Sequence, residues 1–442
     1  MANHKLQKAF FDGSSRITGH FPRAGSKFLD NTLRPLAGNH VLSAFFALYN
    51  RRILGRVKSF RRFLIIPDIH IGDSVISQSA LTGLRDFFPD AHVDYVSNSS
   101  AHPLIKGNPD ATRVLPLFSG GCFPTSENLA CLRDLIKKEE YDLCLNFCPF
   151  INDKDIVPGR QAILNVLSHA PSIVRNEGNA TQINHFIYQS YKFTRDMLSF
   201  IAAPLRREAL RGVDLRFADS AVEQALRFAS ELSLASDEPV IMFNPDGASL
   251  FTRMPFDKQA DLLGRLARLK ALILLGSGHS AAGIGERLKA SLPPLVSGRV
   301  IIIPRNLPLE VYAALIDFSD VFITGDTGPL HLAAAHRISQ TGKYTFRNRT
   351  AVLSFFGATP ARMSGYDSSQ PGFLPANQEA PSWAYTAGSP CRNITCLNKL
   401  FKSCRSARCF EKVDLECLSG RIAAYLELLA KRMPLRRGPA AA

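Results

Sequence analysis

The stretch that decides the fold runs from Val321 to Ala335 and reads Val-Phe-Ile-Thr-Gly-Asp-Thr-Gly-Pro-Leu-His-Leu-Ala-Ala-Ala. Its apolar start predicts a strand, and a helix is predicted from Pro329 to His336. Small residues and Pro at a helix start leave backbone N–H groups exposed, and these bind anions together with the helix dipole. A turn capped by Asp326 accounts for the glycines and the proline but does not require His331. We therefore interpret the stretch as a phosphate-binding loop to which His331 adds a donor.

Strands and helices alternate on both sides of this stretch. In the second half of the chain the pattern predicts strands at Val240–Asn244, Ala271–Leu275, Val300–Pro304 and Val321–Thr324, and helices at Phe256–Leu269, Ala281–Ser291 and Leu309–Phe318. In the first half it predicts strands at Phe63–Pro67, His92–Val96, Thr112–Leu115 and Tyr141–Phe147, and helices at Ser74–Phe87, Ala101–Lys106 and Glu127–Lys138. Such alternation is typical of parallel sheets covered by helices. The sequence predicts two doubly wound α/β domains.

The length of 442 residues suits two or three domains of about 100 to 200 residues each. We place the boundaries at 1–60 for a basic extension, 61–216 and 217–412 for the two α/β domains, and 413–442 for a closing helix and basic tail. With 46% apolar residues, the chain is not low-complexity or collagen-like.

Two further loops follow predicted strands and carry candidate site residues. Ile71-Gly72-Asp73-Ser74 follows the first strand, where Asp73 is either a helix N-cap or a general base at the mouth of the site. The loop Asn244–Pro255 contains Ser249, Thr252 and Arg253, and a guanidinium pairs well with phosphate oxygens. Because ligands of such sheets bind at the carboxyl ends of the strands, these loops are the expected site.

The charge of the chain is concentrated at its start. Residues 1–62 supply +10 of the net charge of +15, and they include the pairs Phe10-Phe11 and Phe45-Phe46. Basic and aromatic residues together favour an anionic membrane surface over nucleic acid or a merely solvated extension. The longest apolar run, Val41–Tyr49, is shorter than the roughly 18 residues of a membrane span. With no signal-like start, we expect a cytoplasmic protein that binds the inner membrane peripherally.

The nine cysteines fit a reducing compartment better as thiols than as disulfides. Four of them, Cys391, Cys396, Cys404 and Cys409, are spaced more loosely than the ligands of a zinc ribbon. A metal-binding knuckle at these four cysteines is an alternative interpretation, but free thiols in a loop are favoured.

Several segments together match a known family. The strand, Gly-Asp turn and helix from Phe63 to Pro89, the pair Asn108-Pro109, the segment Gly325–Ala335 and the run Phe356–Pro360 resemble the motifs of glycosyltransferase family 9. The resemblance to these bacterial lipopolysaccharide heptosyltransferases covers about residues 61 to 430.

This resemblance implies a GT-B fold of two facing Rossmann-like domains, the first for the acceptor and the second for the nucleotide sugar. It implies inverting transfer without a metal or other cofactor. By position, Asp73 matches the proposed base, and Asp326, Thr327, Gly328 and His331 match the loop that holds the phosphates of the donor.

Three departures from the family pattern bear on activity. Thr252 stands where the family has a phosphate-facing Lys, and Arg253 is the candidate substitute. The segment Ser277–Ser280 lacks the carboxylate that the family places near the donor ribose, and residues from Ser339 to Tyr344 belong to an insertion.

We expect transfer of a sugar, foremost heptose from an ADP-activated donor, onto a lipid-linked glycan such as lipopolysaccharide core, with no nucleic-acid partner. The alternative is a non-catalytic GT-B scaffold or nucleotide-binding regulator with a degenerate donor site. Thr252 and Ser280 favour that alternative, whereas intact Asp73 and His331 favour the enzyme.

Overall fold

The structure is a computed structural model of the full chain. It describes residues 56–67, 70–85, 88–118, 125–147, 172–174, 213–234, 238–247, 252–276, 283–357, 361–370, 373, 376–386, 408–411, 413–432 and 439–441. Most of the predicted basic extension, up to residue 55, lies outside these ranges. The chain divides into two compact units. The first is formed by residues up to Leu210 and the second from Arg211 onward, except that Pro103–Asn108 and Ile183–Tyr188 are assigned to the second.

The first unit contains a parallel sheet in the order β3-β2-β1-β4-β5. Its strands are β1 (Arg62–Ile66), β2 (His92–Asn98), β3 (Arg113–Phe118), β4 (Leu143–Asn146) and β5 (Ser172–Val174). The central strand β1 is buried from Phe63 to Ile66, as expected for a strand that helices cover on both faces. The four strands predicted in this half are thereby confirmed, while β5 was not predicted.

The helices of this half are α1 (Ile71–Ile76), α2 (Ser79–Arg85), α3 (His102–Ile105) and α4 (Ser126–Glu139). The prediction of one helix over Ser74–Phe87 is wrong, because Ser77 and Gln78 separate α1 from α2. There the Gln78 side chain donates to the carbonyl of Val75 and the Ser79 hydroxyl donates to that of Ile76. Side chains that bind nearby backbone groups in this way compete with helix continuation.

An ionic cluster lies near the amino ends of the first sheet. The fully buried carboxylate of Asp94 accepts from Arg113 Nε at 2.9 Å and from the Tyr141 hydroxyl, and it lies 2.9 Å from His92 Nε2. Burial alone would raise the pKa of Asp94. The hydrogen bonds from Arg113 and Tyr141 and the nearby positive charges outweigh it, so the pKa lies below its usual value.

The second unit contains a six-stranded parallel sheet in the order β14-β13-β10-β7-β8-β9. Its strands are β7 (Val240–Asn244), β8 (Leu272–Gly276), β9 (Val300–Ile303), β10 (Val321–Gly325), β13 (Ala351–Phe356) and β14 (Ser382–Thr386). The chain proceeds from β7 outward to β9 and then crosses to β10 on the other side of β7. This is the strand order of a Rossmann-like sheet, and its switch point lies between β7 and β10.

The helices of the second unit are α5 (Asp219–Glu231), α6 (Phe256–Ala267), α7 (Ile284–Ala290), α8 (Pro294–Ser297), α9 (Leu309–Leu315), α10 (Gly328–Ala334), α11 (Ala361–Ser364) and α12 (Leu415–Arg432). The closing helix is thus present, and its Leu418 and Ile422 are buried in the same apolar core as Leu262 and Leu275. Among the described residues, no helix is both long and apolar enough to cross a membrane.

The insertion predicted from Ser339 to Tyr344 lies between the strands of two small two-stranded sheets. The strand β11 (His336–Ser339) pairs with β6 (Asp214–Phe217), and β12 (Tyr344–Thr345) pairs with β15 (Ala440–Ala441). The predicted extension of a helix to His336 is therefore wrong, because that residue opens β11. Since β6 pairs within the second unit, the structure draws the boundary before this strand rather than at residue 217.

Candidate functional site

The switch point of the second sheet joins two of the predicted loops. Asn244 ends β7, and its side-chain Nδ2 donates to Thr324 Oγ1 at 3.0 Å and to Thr327 Oγ1 at 3.4 Å. It also donates to the backbone carbonyl of Asp246 at 3.3 Å. One buried amide therefore connects the ends of the neighbouring strands β7 and β10 with the loops that follow them.

The two loops are also in close backbone contact. A side chain at Gly325 would place its Cβ 2.2 Å from the backbone oxygen of Thr252, and a Cβ at Gly247 would lie 2.9 Å from Thr252 Oγ1. The distance at Gly325 is to a backbone atom and cannot be accommodated without backbone movement. Glycine is thus required at Gly325 so that the β7 loop can lie against the end of β10.

Arg253 has a carboxylate neighbour within its own loop. Its Nη1 lies 3.9 Å from Oδ1 of Asp246, which is buried and also accepts from the backbone N–H of Gly247 at 2.8 Å. The Arg253 side chain is 27% exposed. The contact with Asp246 is long for an ion pair, so the guanidinium can approach an incoming phosphate without breaking a close bidentate pair.

Side-chain hydrogen bonds hold the loop after β10. Thr327 is the N-cap of α10, and its hydroxyl lies 3.1 Å from Thr324 Oγ1 instead of capping the helix. Asp326 is half-buried and accepts from the Ser364 hydroxyl at 2.8 Å. Gly328 begins α10, which has seven residues.

His331 is held inside the protein. It is 6% exposed, and its Nδ1 lies 2.9 Å from the hydroxyl of Tyr366. The two rings meet edge to face with centroids 5.8 Å apart. Burial raises the pKa of Tyr366, so its hydroxyl stays protonated. Because Nδ1 is bound by Tyr366, it is not the atom with which His331 would contact a phosphate.

Asp73 lies at the carboxyl end of β1 in the first unit. It is the third residue of α1 and half-buried, and His70 rather than Asp73 occupies the N-cap position. Gly72 is part of the helix, and positive φ occurs among the described glycines only at Gly283 and Gly342. Of the two interpretations of Asp73, the helix N-cap is therefore wrong, and the general base stays a prediction. A first-turn carboxylate interacts favourably with the helix dipole.

Several predicted site residues lie outside the described part of the chain. These are Ser249, the segment Ser277–Ser280, and the cysteines Cys391, Cys396 and Cys404. Cys409 is described, and it is buried in the apolar core of the second unit. No group of residues that could hold a metal ion occurs within the described ranges. A buried position among apolar side chains fits a packed thiol better than a metal ligand.

Sequence reasoning missed the residues that connect the site. Asn244 and Asp246 stand in the loop that the sequence pointed to, but neither was selected as a candidate. Ser364 and Tyr366 come more than 30 residues after the Asp326–His331 segment that they contact, as the bonds to Asp326 and His331 show. Only the fold brings such distant residues together, so no local pattern could have identified them.

Comparisons with known proteins place this site in a family. Residues 209–364 match the model of glycosyltransferase family 9 (heptosyltransferase). That range contains β7, β10 and both loops at the switch point.

Individual relatives agree with the family match. A putative glycosyltransferase of Haemophilus influenzae is 36% identical over 134 residues, which are 29% of this chain and 37% of that relative. This alignment thus spans well under two thirds of the relative's length. The lipopolysaccharide heptosyltransferase 3 of Escherichia coli is 22% identical over 307 residues, which are 65% of this chain and 80% of that protein.

A solved structure extends the likeness to both units. The ADP-heptose lipopolysaccharide heptosyltransferase II of Escherichia coli superposes with a TM-score of 0.55 at 15% identity, covering 84% of this chain and 99% of that one. At this identity the likeness concerns the fold, which is GT-B with two Rossmann-like units, as the sequence predicts. Residues 209–364 thus correspond to a glycosyltransferase family 9 domain, in a chain with a GT-B fold.

Proposed function

We propose that the protein is an inverting, metal-independent glycosyltransferase that moves heptose from an ADP-activated donor onto a lipopolysaccharide-type acceptor. The observation that carries the proposal is the joined pair of loops at the β7–β10 switch point, inside the family 9 match. Ligands of Rossmann-like sheets bind at such switch points. The name of the similar Escherichia coli heptosyltransferase II includes ADP-heptose. Lipopolysaccharide is part of that name and of the name of the Escherichia coli heptosyltransferase 3.

In this proposal the second unit holds the diphosphate. Arg253 supplies a positive charge, and the backbone N–H groups of the Asp326–Gly328 loop supply neutral donors. Both stabilise the negative charge that develops on the leaving ADP, in the role that a metal ion has in other transferases. His331 and Asn244 keep the loops in place through their bonds to Tyr366 and to the threonines.

The chemical step is a displacement at the anomeric carbon of the donor sugar. The acceptor oxygen forms the new bond to that carbon while the bond from the carbon to the diphosphate oxygen breaks, and the configuration inverts. Asp73 takes the proton of the acceptor hydroxyl, and ADP leaves with the bonding electron pair. A positioned general base contributes about 10²- to 10⁴-fold to such a rate.

The experiment that tests this function has a binding arm and a turnover arm. Thermal shift with ADP, UDP, GDP and CMP, each with its sugar conjugates, identifies the nucleotide, because a ligand raises stability according to its affinity and concentration. Release of ADP from ADP-heptose is then measured with truncated lipopolysaccharide, with and without EDTA. We expect selective stabilisation by ADP and EDTA-resistant release that depends on the acceptor.

Other results of that experiment have a defined meaning. ADP binding without turnover on any truncated lipopolysaccharide would support the non-catalytic alternative, for which the Thr252 replacement is the motivating observation. Turnover abolished by EDTA and restored by a divalent cation would contradict the metal-independent step. Preference for another nucleotide would overturn the donor assignment while leaving a glycosyltransferase.

We further propose that the basic extension binds the anionic inner face of the cytoplasmic membrane. Residues 1–55 carry a net charge of +6. The described core already begins before residue 61, because Phe60 stacks on Phe88 and the backbone N–H of Arg61 donates to Asp142 Oδ2 at 2.8 Å. Deletion of residues 1–55 therefore tests the extension without removing Ser59, Phe60 or Arg61, which contact the core. Only the full chain should pellet with phosphatidylserine vesicles at low salt and release at high salt; equal pelleting of both would contradict this role.

A further inference from the structure

The helix that carries Asp73 is short, and its last carbonyl groups are bound by side chains. The Val75 carbonyl accepts from the Gln78 side-chain amide at 3.1 Å, and the Ile76 carbonyl accepts from the Ser79 hydroxyl at 3.0 Å. Both donors come from the next residues along the chain. They close the end of α1 locally, but they do not connect it to the sheet.

The carbonyl of Ser74, directly after Asp73, is bound from another element. In a continuing helix it would accept from the backbone N–H of Gln78, but that N–H donates to Val75 at 3.3 Å. The hydroxyl of Tyr95 instead donates to the Ser74 carbonyl at 2.7 Å. Tyr95 is fully buried in β2 and lies opposite Ile65 of β1. One hydrogen bond therefore ties the backbone next to Asp73 to the sheet.

The Tyr95 hydroxyl is a permanent donor. Burial raises the pKa of Tyr95 well above its usual value, and the negative charge of Asp73 raises it further. The hydroxyl thus stays protonated at neutral pH.

We propose that Tyr95 is a positioning residue that fixes the backbone at Ser74 and thereby the orientation of the Asp73 carboxylate. Tyr95 itself contacts no substrate and transfers no proton. The inference rests on the proposed function, because it takes Asp73 as the base that accepts the proton of the acceptor hydroxyl. A displacement of about 1 Å at a reacting group can lower a rate by about 10².

Tyr141 provides the matched control. Its hydroxyl is bound to Asp94 in the same unit, it is 4% exposed, and it belongs to the cluster near the amino ends of the strands. Tyr95→Phe and Tyr141→Phe each remove one buried hydroxyl. If Tyr95 had only a structural role, both variants should lower the melting temperature and leave kcat and the dissociation constant of ADP unchanged. Thermal unfolding, the dissociation constant of ADP and kcat for ADP-heptose with its acceptor are measured for each variant.

We expect Tyr95→Phe to lower kcat by about tenfold or more, with the dissociation constant of ADP unchanged. Tyr141→Phe should lower only the melting temperature. Replacing Tyr95 by 4-aminophenylalanine, which keeps a donor at the same place, should restore most of kcat. Hydrogen exchange in the peptide Ile71–Gln78 should become faster in Tyr95→Phe. In Tyr141→Phe and in the 4-aminophenylalanine variant, exchange in this peptide should match that of the wild type.

Unchanged kcat in Tyr95→Phe, while Asp73→Asn is inactive, would overturn this inference and leave the proposed function standing. Equal losses of kcat in the two tyrosine variants would overturn it as well. A wild-type protein that turns over no donor defeats the proposed function, and the inference falls with it. Should Tyr95→Phe not fold, 4-fluorophenylalanine at position 95, which fills the place of the hydroxyl but cannot donate, replaces it. An unchanged kcat in that variant, while Asp73→Asn is inactive, would contradict the proposal.

Discussion

The second unit holds its candidate residues in a network, whereas the first unit holds Asp73 on a helix of six residues. At the switch point, Asn244 joins two loops, Gly325 allows the close approach of Thr252, and Tyr366 binds His331. In the first unit, a hydrogen bond from Tyr95 to the carbonyl of Ser74 ties this helix to the sheet.

This difference fits the two tasks proposed for the units, which are donor binding in the second unit and proton removal from the acceptor in the first. Binding a diphosphate needs several donors in fixed relative positions, and a network of buried contacts provides that precision before the ligand arrives. A base needs one correctly placed carboxylate on an element that meets the acceptor. Variants in the two units should therefore separate binding from turnover.

The largest effect is expected from Asp73→Asn. The amide keeps the size of the carboxylate but cannot take the acceptor proton, so turnover should fall by about 10²- to 10⁴-fold. The dissociation constant of ADP should not change, because ADP is proposed to bind the other unit. Acceptor-dependent ADP release and calorimetry with ADP check the two halves of this prediction. Turnover close to that of the wild type would remove Asp73 as the base.

The next effect concerns the contact between the two loops. Gly325→Ala would place a methyl group against the Thr252 carbonyl, and overpacking of this kind costs about 1–3 kcal/mol of stability. Because the loop that carries Thr252 and Arg253 would have to move away from the end of β10, we expect ADP affinity to fall at least about tenfold, a loss of about 1.4 kcal/mol.

Gly420→Ala is the matched control for this change. Gly420 lies within α12, and a Cβ there would have no atom within 4 Å. Replacing an exposed helical glycine by alanine should raise stability by about 0.5–1 kcal/mol and leave ADP binding unchanged. Gly325→Ala binding ADP as tightly as the wild type would show that the loop contact has no part in the donor site.

A loss of affinity of similar size is expected from Arg253→Ala. Hydrogen bonds to a charged group contribute about 1.5–3 kcal/mol, so the dissociation constant of ADP should rise by about tenfold or more. Restoring the family residue with Thr252→Lys should not weaken binding. Arg265→Ala removes the same charge from an exposed pair with Asp261 on α6 and serves as the control. Equal ADP affinity in all three variants would place the phosphate contacts elsewhere.

The last prediction compares stability rather than binding, at the ionic cluster of the first unit. The pKa of Asp94 is lowered in the folded protein, so its ion pairs stabilise the fold fully above the unfolded pKa of about 4. This contribution is lost as the pH falls through the folded value. Asp94→Asn should therefore lower the melting temperature at neutral pH and flatten its fall in acid. Parallel melting curves for wild type and variant between neutral and acid pH would contradict the assignment.

The sequence predicts most of the sheets because their strands are short apolar runs between turn residues. The strand Val240–Asn244 was predicted with its observed bounds. The break at Ser77 was not predicted, because it depends on side chains that bind backbone carbonyls rather than on hydrophobic period. Likewise, β6 and β11 pair across more than 100 residues, and only the fold reveals that pairing.

Of the candidate site, the sequence predicts which loops matter but not how they are joined. Thr327 and Arg253 were identified from loop composition and family resemblance. The bonds of Asn244, Ser364 and Tyr366 depend on tertiary contacts, which a single sequence does not encode in any local pattern. The role of Gly325 likewise depends on a backbone from another loop.

The central claim is that ADP binds at the β7–β10 switch point of the second unit, and hydrogen exchange with and without ADP tests it most directly. We expect slower exchange on ADP addition in peptides covering Asn244–Pro255 and Thr324–His331. Exchange in the peptide Ile71–Gln78 around Asp73 should stay unchanged with ADP alone. Protection confined to other segments, or absent from both loops at saturating ADP, would contradict the claim.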